Sequence, residues 1–387
     1  MKPQPINITH VITALPRGGA QTILGQLVQR ADRHRFAMDV VSLADIGPVG
    51  ERLRAEGVRV RALGMNPRLP NPVAPLRLAR WLRRDRTHLV QTWLYHGDLV
   101  GGLAARLAGV PVIWNLRQTD LDPAHTGAAT RLTMRACAAL SRSLPRRIVC
   151  CSEASARVHA AVGYDAGRMN VIANGVDLAR FQPLARAGAD VRSELGIASD
   201  AALIGLFARH HPQKDHASFF AAVGRIAPKF PDAHFLLCGE GVEGSNAEVA
   251  ALRVGTGVPE RIHLLGIRDD VPRLAAALDL AVSSSSFGEG FSNVVVEAMA
   301  CGVACVATDV GEAALIVGDT GWIVSPRDSG ALAAAMSAAL SDRQALRARG
   351  SQARQRVEQE YSITTMVGRY ESLYEEAAQG ALRTAQG

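Results

Sequence analysis

Short β-branched and apolar runs alternate with Ala-, Leu- and Arg-rich stretches along almost the whole chain, and this alternation limits the fold more than any other feature. In the first half the strand candidates are Asn7–Ala14, Ala37–Ser42, Val58–Ala62, Leu89–Gln91, Val112–Asn115, Arg147–Cys151 and Asn170–Ile172. In the second half they are Leu203–Ala208, His234–Cys238, Ile262–Leu264, Leu280–Ser283, Val303–Thr308 and Gly321–Val324. The segments between them are long enough for crossover helices, so the pattern predicts an α/β chain with parallel sheets covered on both faces. At 387 residues the chain exceeds one ordinary core and suits two domains. Ala173–Gly196 has turn chemistry, a proline and no strand pattern, which marks the junction. The expected division is 1–182, 183–360 and a polar helical segment 361–387 that packs back toward the first domain. No repeat of ~20 to 50 residues is present.

Composition narrows the class. Apolar residues make up 48% of the chain and charged residues 20%, a folded rather than disordered balance. No apolar run reaches the ~18 to 20 residues needed to span a bilayer. The opening "MKPQPINITHVITAL" is interrupted by Asn7, Thr9 and His10 and reads as a buried first strand rather than a signal peptide, so a cytoplasmic location is expected. Cys137, Cys150, Cys151, Cys238, Cys301 and Cys305 lie in apolar segments without CxxC spacing or clustered histidines, and are expected to be buried thiols with no metal role. The net charge of +7 concentrates in Pro75–His88, where five arginines interleave with Leu76, Leu78, Trp81 and Leu82 at helical spacing. An anionic membrane surface suits such a basic amphipathic helix, and a solvated face packed on a sheet is the plain alternative. No nucleic-acid motif accompanies it, so nucleic acid is not expected as a partner.

Gly239-Glu-Gly241-Val-Glu-Gly244 matches the dinucleotide fingerprint GxGxxG. The context argues against a dinucleotide site. The motif lies in the second strand–helix unit of its domain, and the next strand ends at Gly266 where an acidic ribose ligand is required. The glycines instead let the backbone turn and approach a partner at the carboxyl edge of a parallel sheet.

Chemistry concentrates in Ser283–Glu312, which reads as strand end, small polar loop, helix, turn and strand. Glu289 lies between two glycines of the loop, and Glu297 lies one turn into a helix starting near Ser292–Asn293. Backbone N–H groups at that helix start favour an anion. Val294, Val295 and Val296 are poor formers of exposed helix, so the helix must be largely buried. A buried helix carrying Glu297 favours a ligand for that charge.

The pattern Glu289-x7-Glu297, with Gly290, Phe291, Ser292 and Asn293 behind the first Glu, resembles the retaining GT-B glycosyltransferases of the GT4 family. "LPRGGAQTIL", "VCCSEASA", "VIANGVD", "LFARHHPQKDH" and "LLGIRDDVPRLAAALDLAVSSS" are similar to the family's motifs in order, over nearly the whole chain. The resemblance implies two Rossmann-like, doubly wound parallel-sheet domains facing across a cleft. The first would bind a glycan or lipid-linked acceptor and the second a nucleoside-diphosphate sugar, which is a substrate rather than a cofactor. Arg209, Lys214 and Glu289 are implied as catalytic residues. Gly18, Gly19, Gly239, Arg268, Gly290 to Asn293 and Glu297 are implied around the donor, with Glu297 on the ribose and Glu289 on the sugar. An arginine fork and a lysine suit a diphosphate leaving group without a metal. The family often carries a His where this chain has Arg117, so Arg117 and His96 are both candidates for the acceptor or sugar contact. The family's usual Glu after "DVG" is replaced by Leu315, with Glu312 nearby. Asp120 and Asp122 form a DxD triplet of the kind that holds a divalent ion in another transferase class, but they lie away from the Glu289 loop in sequence. An epimerase or hydrolase of the same architecture, and a non-catalytic sugar-nucleotide binder, remain as alternatives.

Overall fold

The computed structural model describes residues 4–66, 71–119, 121 and 126–384, and side chains as far as 378. Asp120 and Asp122 therefore lie outside the described residues. The chain forms two compact units, one from the start to Gly175 together with Ile363 onward, the other Val176–Ser362. The division falls at 175/176 rather than 182/183. Val176 is already tied into the second unit, where its N–H donates to Tyr361 O at 2.8 Å and Phe181 O accepts from Arg354. Turn residues after Ala173 marked the region, while the hydrogen bonds decide the residue.

The first unit holds a seven-stranded sheet of order β3-β2-β1-β4-β5-β6-β7. Its strands are β1 Ile6–Ile12, β2 Phe36–Ser42, β3 Val60–Ala62, β4 Leu89–Trp93, β5 Val112–Leu116, β6 Arg147–Cys150 and β7 Met169–Val171. Every pairing is parallel. Alternate residues supply two cores, as the period of a strand requires. On one face Ile8, Ile12, Leu89, Trp93 and Ile113 pack against the helices Gly19–Arg30 and Ile363–Thr384, including Leu27, Met366, Tyr370 and Tyr374. On the other Val11, Val90, Val112 and Trp114 meet Leu78, Leu82, Ala104 and Cys137.

The second unit holds a six-stranded parallel sheet of order β10-β9-β8-β11-β12-β13. Its strands are β8 Leu203–Phe207, β9 His234–Cys238, β10 Ile262–Leu264, β11 Leu280–Ser283, β12 Ala304–Thr308 and β13 Trp322–Val324. In both sheets the order reverses once, between β1 and β4 and between β8 and β11. Parallel α/β sheets bind ligands outside the carboxyl ends of strands at such a reversal. This selects two crevices.

Each strand expected from the sequence is present, with end shifts of one or two residues in several. The basic helix is Ala74–Arg84, one residue earlier at its start than expected and ending before Arg86. Arg86 has φ +51° and belongs to the turn that follows, so it is removed from the helical set. All six cysteines are free and buried. No described helix is long and apolar enough to cross a membrane.

Candidate functional site

The β8/β11 crevice of the second unit gathers residues far apart in sequence. After β8 the chain runs through Arg209 and a single 3-10 turn, Pro212–Lys214. Asp215 then stops the loop. With φ +45° it caps the helix His216–Ile226, accepting from Ser218 N–H at 3.1 Å. A non-glycine residue held at positive φ is strained, and such strain is retained where surroundings over-determine it. Here the loop after β11 does so: Ser286 N–H donates to Gln213 O at 2.8 Å, and Ser284 Oγ donates to Lys214 O at 2.8 Å.

The same two loops place Lys214 Nζ against Glu289 Oε1 as an ion pair, and Ser285 Oγ donates to that oxygen at 2.8 Å. Glu289 is buried to 9% exposure. Its backbone is pressed from below by Gly311 (φ +65°), where a Cβ would come within 1.7 Å of Glu289 O. Only glycine fits there. Gly239 plays a similar part beside β8, since a Cβ on it would lie 2.2 Å from Ala208 O. Gly244 meets nothing within 4 Å, and the following helix starts only at Ala247. The GxGxxG match is thus a tight turn against the Arg209 loop, lacking the helix packing of a dinucleotide site.

Behind Glu289, Gly290 and Phe291 are buried, with Phe291 edge-on to Tyr361 at 5.8 Å. Ser292 is the N-cap of the helix Asn293–Ala300, yet its side chain makes no capping bond, and its Oγ is buried without a partner. The first turn of this helix carries no acidic residue. A helix start of this kind favours an anion through its dipole. Val295, Val296, Ala298 and Met299 are buried, as the valine run requires. Glu297, fifth in the helix, lies beyond the first turn, so its function is not to stabilise the helix dipole there. Desolvation pushes its carboxyl up to about 7, opposed by Arg180. Arg209 is exposed. No ion pair to it is found among the described residues.

Arg268 stands apart from this group. Its guanidinium grips Asp270 at 2.7 and 2.9 Å and reaches Glu194 at 3.3 Å, while Arg273 joins the same two carboxylates. Both arginines hold Asp270 well below the usual carboxylate range. Arg268 is committed to a surface ion network, leaving the backbone of Gly266–Arg268 and exposed Ile267 at that edge. Leu315 is 53% exposed, whereas Glu312 is buried next to Gly311.

In the first unit, Gly18 and Gly19 are exposed at the start of the helix Gly19–Arg30, which has neither a side-chain cap nor an acidic first turn. His96 is half-buried in the first turn of the helix Leu94–Ala108, with its pKa lowered by desolvation. Arg117 follows β5 directly. It donates through Nη2 to Asn174 Oδ1 and lies over the Trp93 ring at 5.5 Å.

Several groups escaped sequence reasoning. Trp93 Nε1–H donates to His10 Nδ1 at 3.2 Å, and Tyr370 stacks on Trp93 at 6.4 Å while its hydroxyl accepts from Asn115 Nδ2 at 3.0 Å. Leu94, next after Trp93, has φ +68°. Asp98 is fully buried: Thr92 Oγ1 donates to it at 2.5 Å, and burial pushes its carboxyl up to about 8. A charged residue four places along an apolar helix start was the available signal for Asp98. Nothing local announces the pairing of Tyr370 with Trp93.

Comparison with known proteins agrees on one class. The family described as Glycosyltransferase Family 4 matches residues 17–180, and that described as Glycosyl transferases group 1 matches 201–342. The EpsF protein of Bacillus subtilis is 26% identical over 311 residues, covering 78% of this chain and 79% of its own. An Escherichia coli UDP-Gal:α-D-GlcNAc-diphosphoundecaprenol α-1,3-galactosyltransferase is 25% identical over 312 residues, covering 79% and 80%. The crystal structure of Anabaena HepE in complex with UDP superposes with a TM-score of 0.85 at 24% identity, covering 96% of this chain and 100% of that one.

Proposed function

Because the chain belongs to the GT-B glycosyltransferases of the group 1 and family 4 type, we propose that it moves a hexose-type sugar, with retention, from a nucleoside diphosphate to a glycan or lipid-linked acceptor. The observation that carries this reading is the convergence of Lys214, Glu289 and the uncapped start of Asn293–Ala300 at the β8/β11 crevice. In the proposed complex the diphosphate lies between the Arg209–Lys214 loop and that helix start. Lys214 is shared between Glu289 and a phosphate oxygen, and Arg209 supplies a planar fork. Glu289 accepts hydroxyls of the sugar, with Ser285 fixing its orientation, and Glu297 accepts those of the ribose. As the glycosidic bond breaks, charge grows on the diphosphate, where fixed cations and N–H groups stabilise it more than in the ground state. These groups neutralise the leaving group without a metal.

UDP is the nucleotide we favour, since the neighbouring Anabaena protein was solved with it. A lipid-linked acceptor for cell-surface glycan synthesis follows the E. coli relative, whose name specifies a diphosphoundecaprenol-linked sugar. Peripheral attachment to an anionic membrane face fits the basic helix Ala74–Arg84.

The test is a donor panel read by nucleotide release, with crude lipid as acceptor source. Arg209→Ala and Lys214→Ala are each expected to lower turnover by ~10² or more, as loss of a charge-stabilising group does, with the fold retained in both and a lower melting temperature in Lys214→Ala, which leaves Glu289 without its cation. Near-normal rates in both folded variants would remove these residues from the site.

A further inference from the structure

We propose that the acceptor bears an oxyanion, a phosphate- or carboxylate-type group near its reacting hydroxyl, and that Arg117 binds it. The inference rests on the acceptor role proposed for the first unit.

Among the described residues no Asp or Glu forms an ion pair with Arg117. Several other partly shielded arginines are paired with carboxylates, while Arg253 and Arg349 bond only backbone carbonyls. Arg61 meets Asp85, Arg192 meets Asp279, and Arg268 and Arg273 share Asp270. Among the described residues Arg117 meets the neutral Asn174 oxygen and the Trp93 face, and its Nη1 is shielded from water with no hydrogen-bond partner. A half-buried guanidinium whose charge is uncompensated is unfavourable, and a bound anion relieves it. The side chain is also held in place from beneath. Trp93 is fully buried, bonded to His10 and stacked by Tyr370. Little rotamer freedom then remains to lose when a ligand arrives, and the planar fork matches phosphate and carboxylate oxygens.

The position suits a ligand. Arg117 follows β5, which pairs with β4 beside the β1/β4 reversal. The helix Leu94–Ala108 that leaves β4 has no acidic first-turn residue and no side-chain cap, so its N-terminus adds positive potential along the same sheet edge. A neutral sugar hydroxyl would not need this cation.

The experiment uses full-length protein saturated with UDP, so that the donor crevice is occupied. Inorganic pyrophosphate and malonate are titrated in turn, and the Arg117 Nε–Hε resonance is followed by 15N NMR, assigned by its loss in Arg117→Lys. Saturable binding that shifts this resonance is expected with at least one probe. It should weaken roughly 30-fold or more in Arg117→Gln, as loss of one member of a buried charge pair does, while UDP affinity stays unchanged. Farnesyl diphosphate binding more tightly than pyrophosphate identifies a lipid-linked acceptor, and equal affinity identifies a soluble one. No saturable binding by any probe, or binding undiminished in folded Arg117→Gln, overturns the proposal. A failure of UDP itself to bind would instead strike the donor reading.

Discussion

Glu297 is the residue at which the proposed ribose contact can be tested through protonation. Its carboxyl is raised from the ordinary range to about 7, with desolvation the main cause. Burial thus favours the protonated form, and the sign follows. Relative to an ordinary carboxyl, Glu297 costs nothing below about pH 4.5, and the folded state progressively loses stability as pH rises from there through about 7. If ribose hydroxyls donate to the ionised carboxylate, UDP binding must favour ionisation and release a proton below that pH. UDP affinity measured by calorimetry should therefore rise between pH 5 and 8 and then level. In Glu297→Gln the rise should shrink to that of the terminal phosphate of UDP, whose second ionisation also falls at about pH 6, with weaker binding at pH 8. A wild-type rise no larger than the variant's would separate Glu297 from the nucleotide. Glu297 was legible in sequence because its spacing from Glu289 is local. Its raised pKa was not, since that depends on what the rest of the unit packs around the helix.

At the scale of elements, the helix Ala74–Arg84 shows how periodicity predicts a face and leaves its use open. Leu78, Ala79 and Leu82 are buried, while Val73 and Leu76 remain exposed beside Arg77 and Arg80. Some of the cations have local work. Arg77 donates to Leu63 O at 3.2 Å and lies over Trp81, Arg83 donates to Leu107 O, and Arg84 pairs with Asp85. All four helical arginines are nevertheless exposed. Each is worth about 1 kcal/mol near an anionic surface, an attraction that fades within a Debye length. Co-sedimentation should show binding to anionic vesicles that weakens at high salt and is lost when Arg80, Arg83 and Arg84 become Glu. Equal binding to neutral vesicles, or none to either, would exclude this helix as the membrane contact.

For the molecule as a whole, the proposed donor reading has cations and a helix start supply the charge at the β8/β11 crevice, so EDTA should leave most of the transfer activity intact. Activity that vanishes with chelator and returns with manganese or magnesium would bring Asp120 and Asp122 back into consideration. The sequence by itself determined the α/β class and the thirteen strands found among the described residues, and it offered the candidate donor residues. Those signals are local: hydrophobic periodicity reports which residues face a core, and Glu289, Glu297, Arg209 and Lys214 lie within short matched segments. Only the tertiary structure decided what these residues touch. Lys214 and Glu289 meet because β8 and β11 are neighbours at a reversal of strand order, with β9 and β10 placed on the far side of β8. Strand order is set by how crossover helices pack on the sheet, and no window of sequence records it. The same holds for His10 of β1, Trp93 of β4, Arg117 just after β5 and Tyr370 of the last helix. Their assembly requires the chain to return to its first unit after completing its second, and contacts of that separation are fixed by the packing of whole layers.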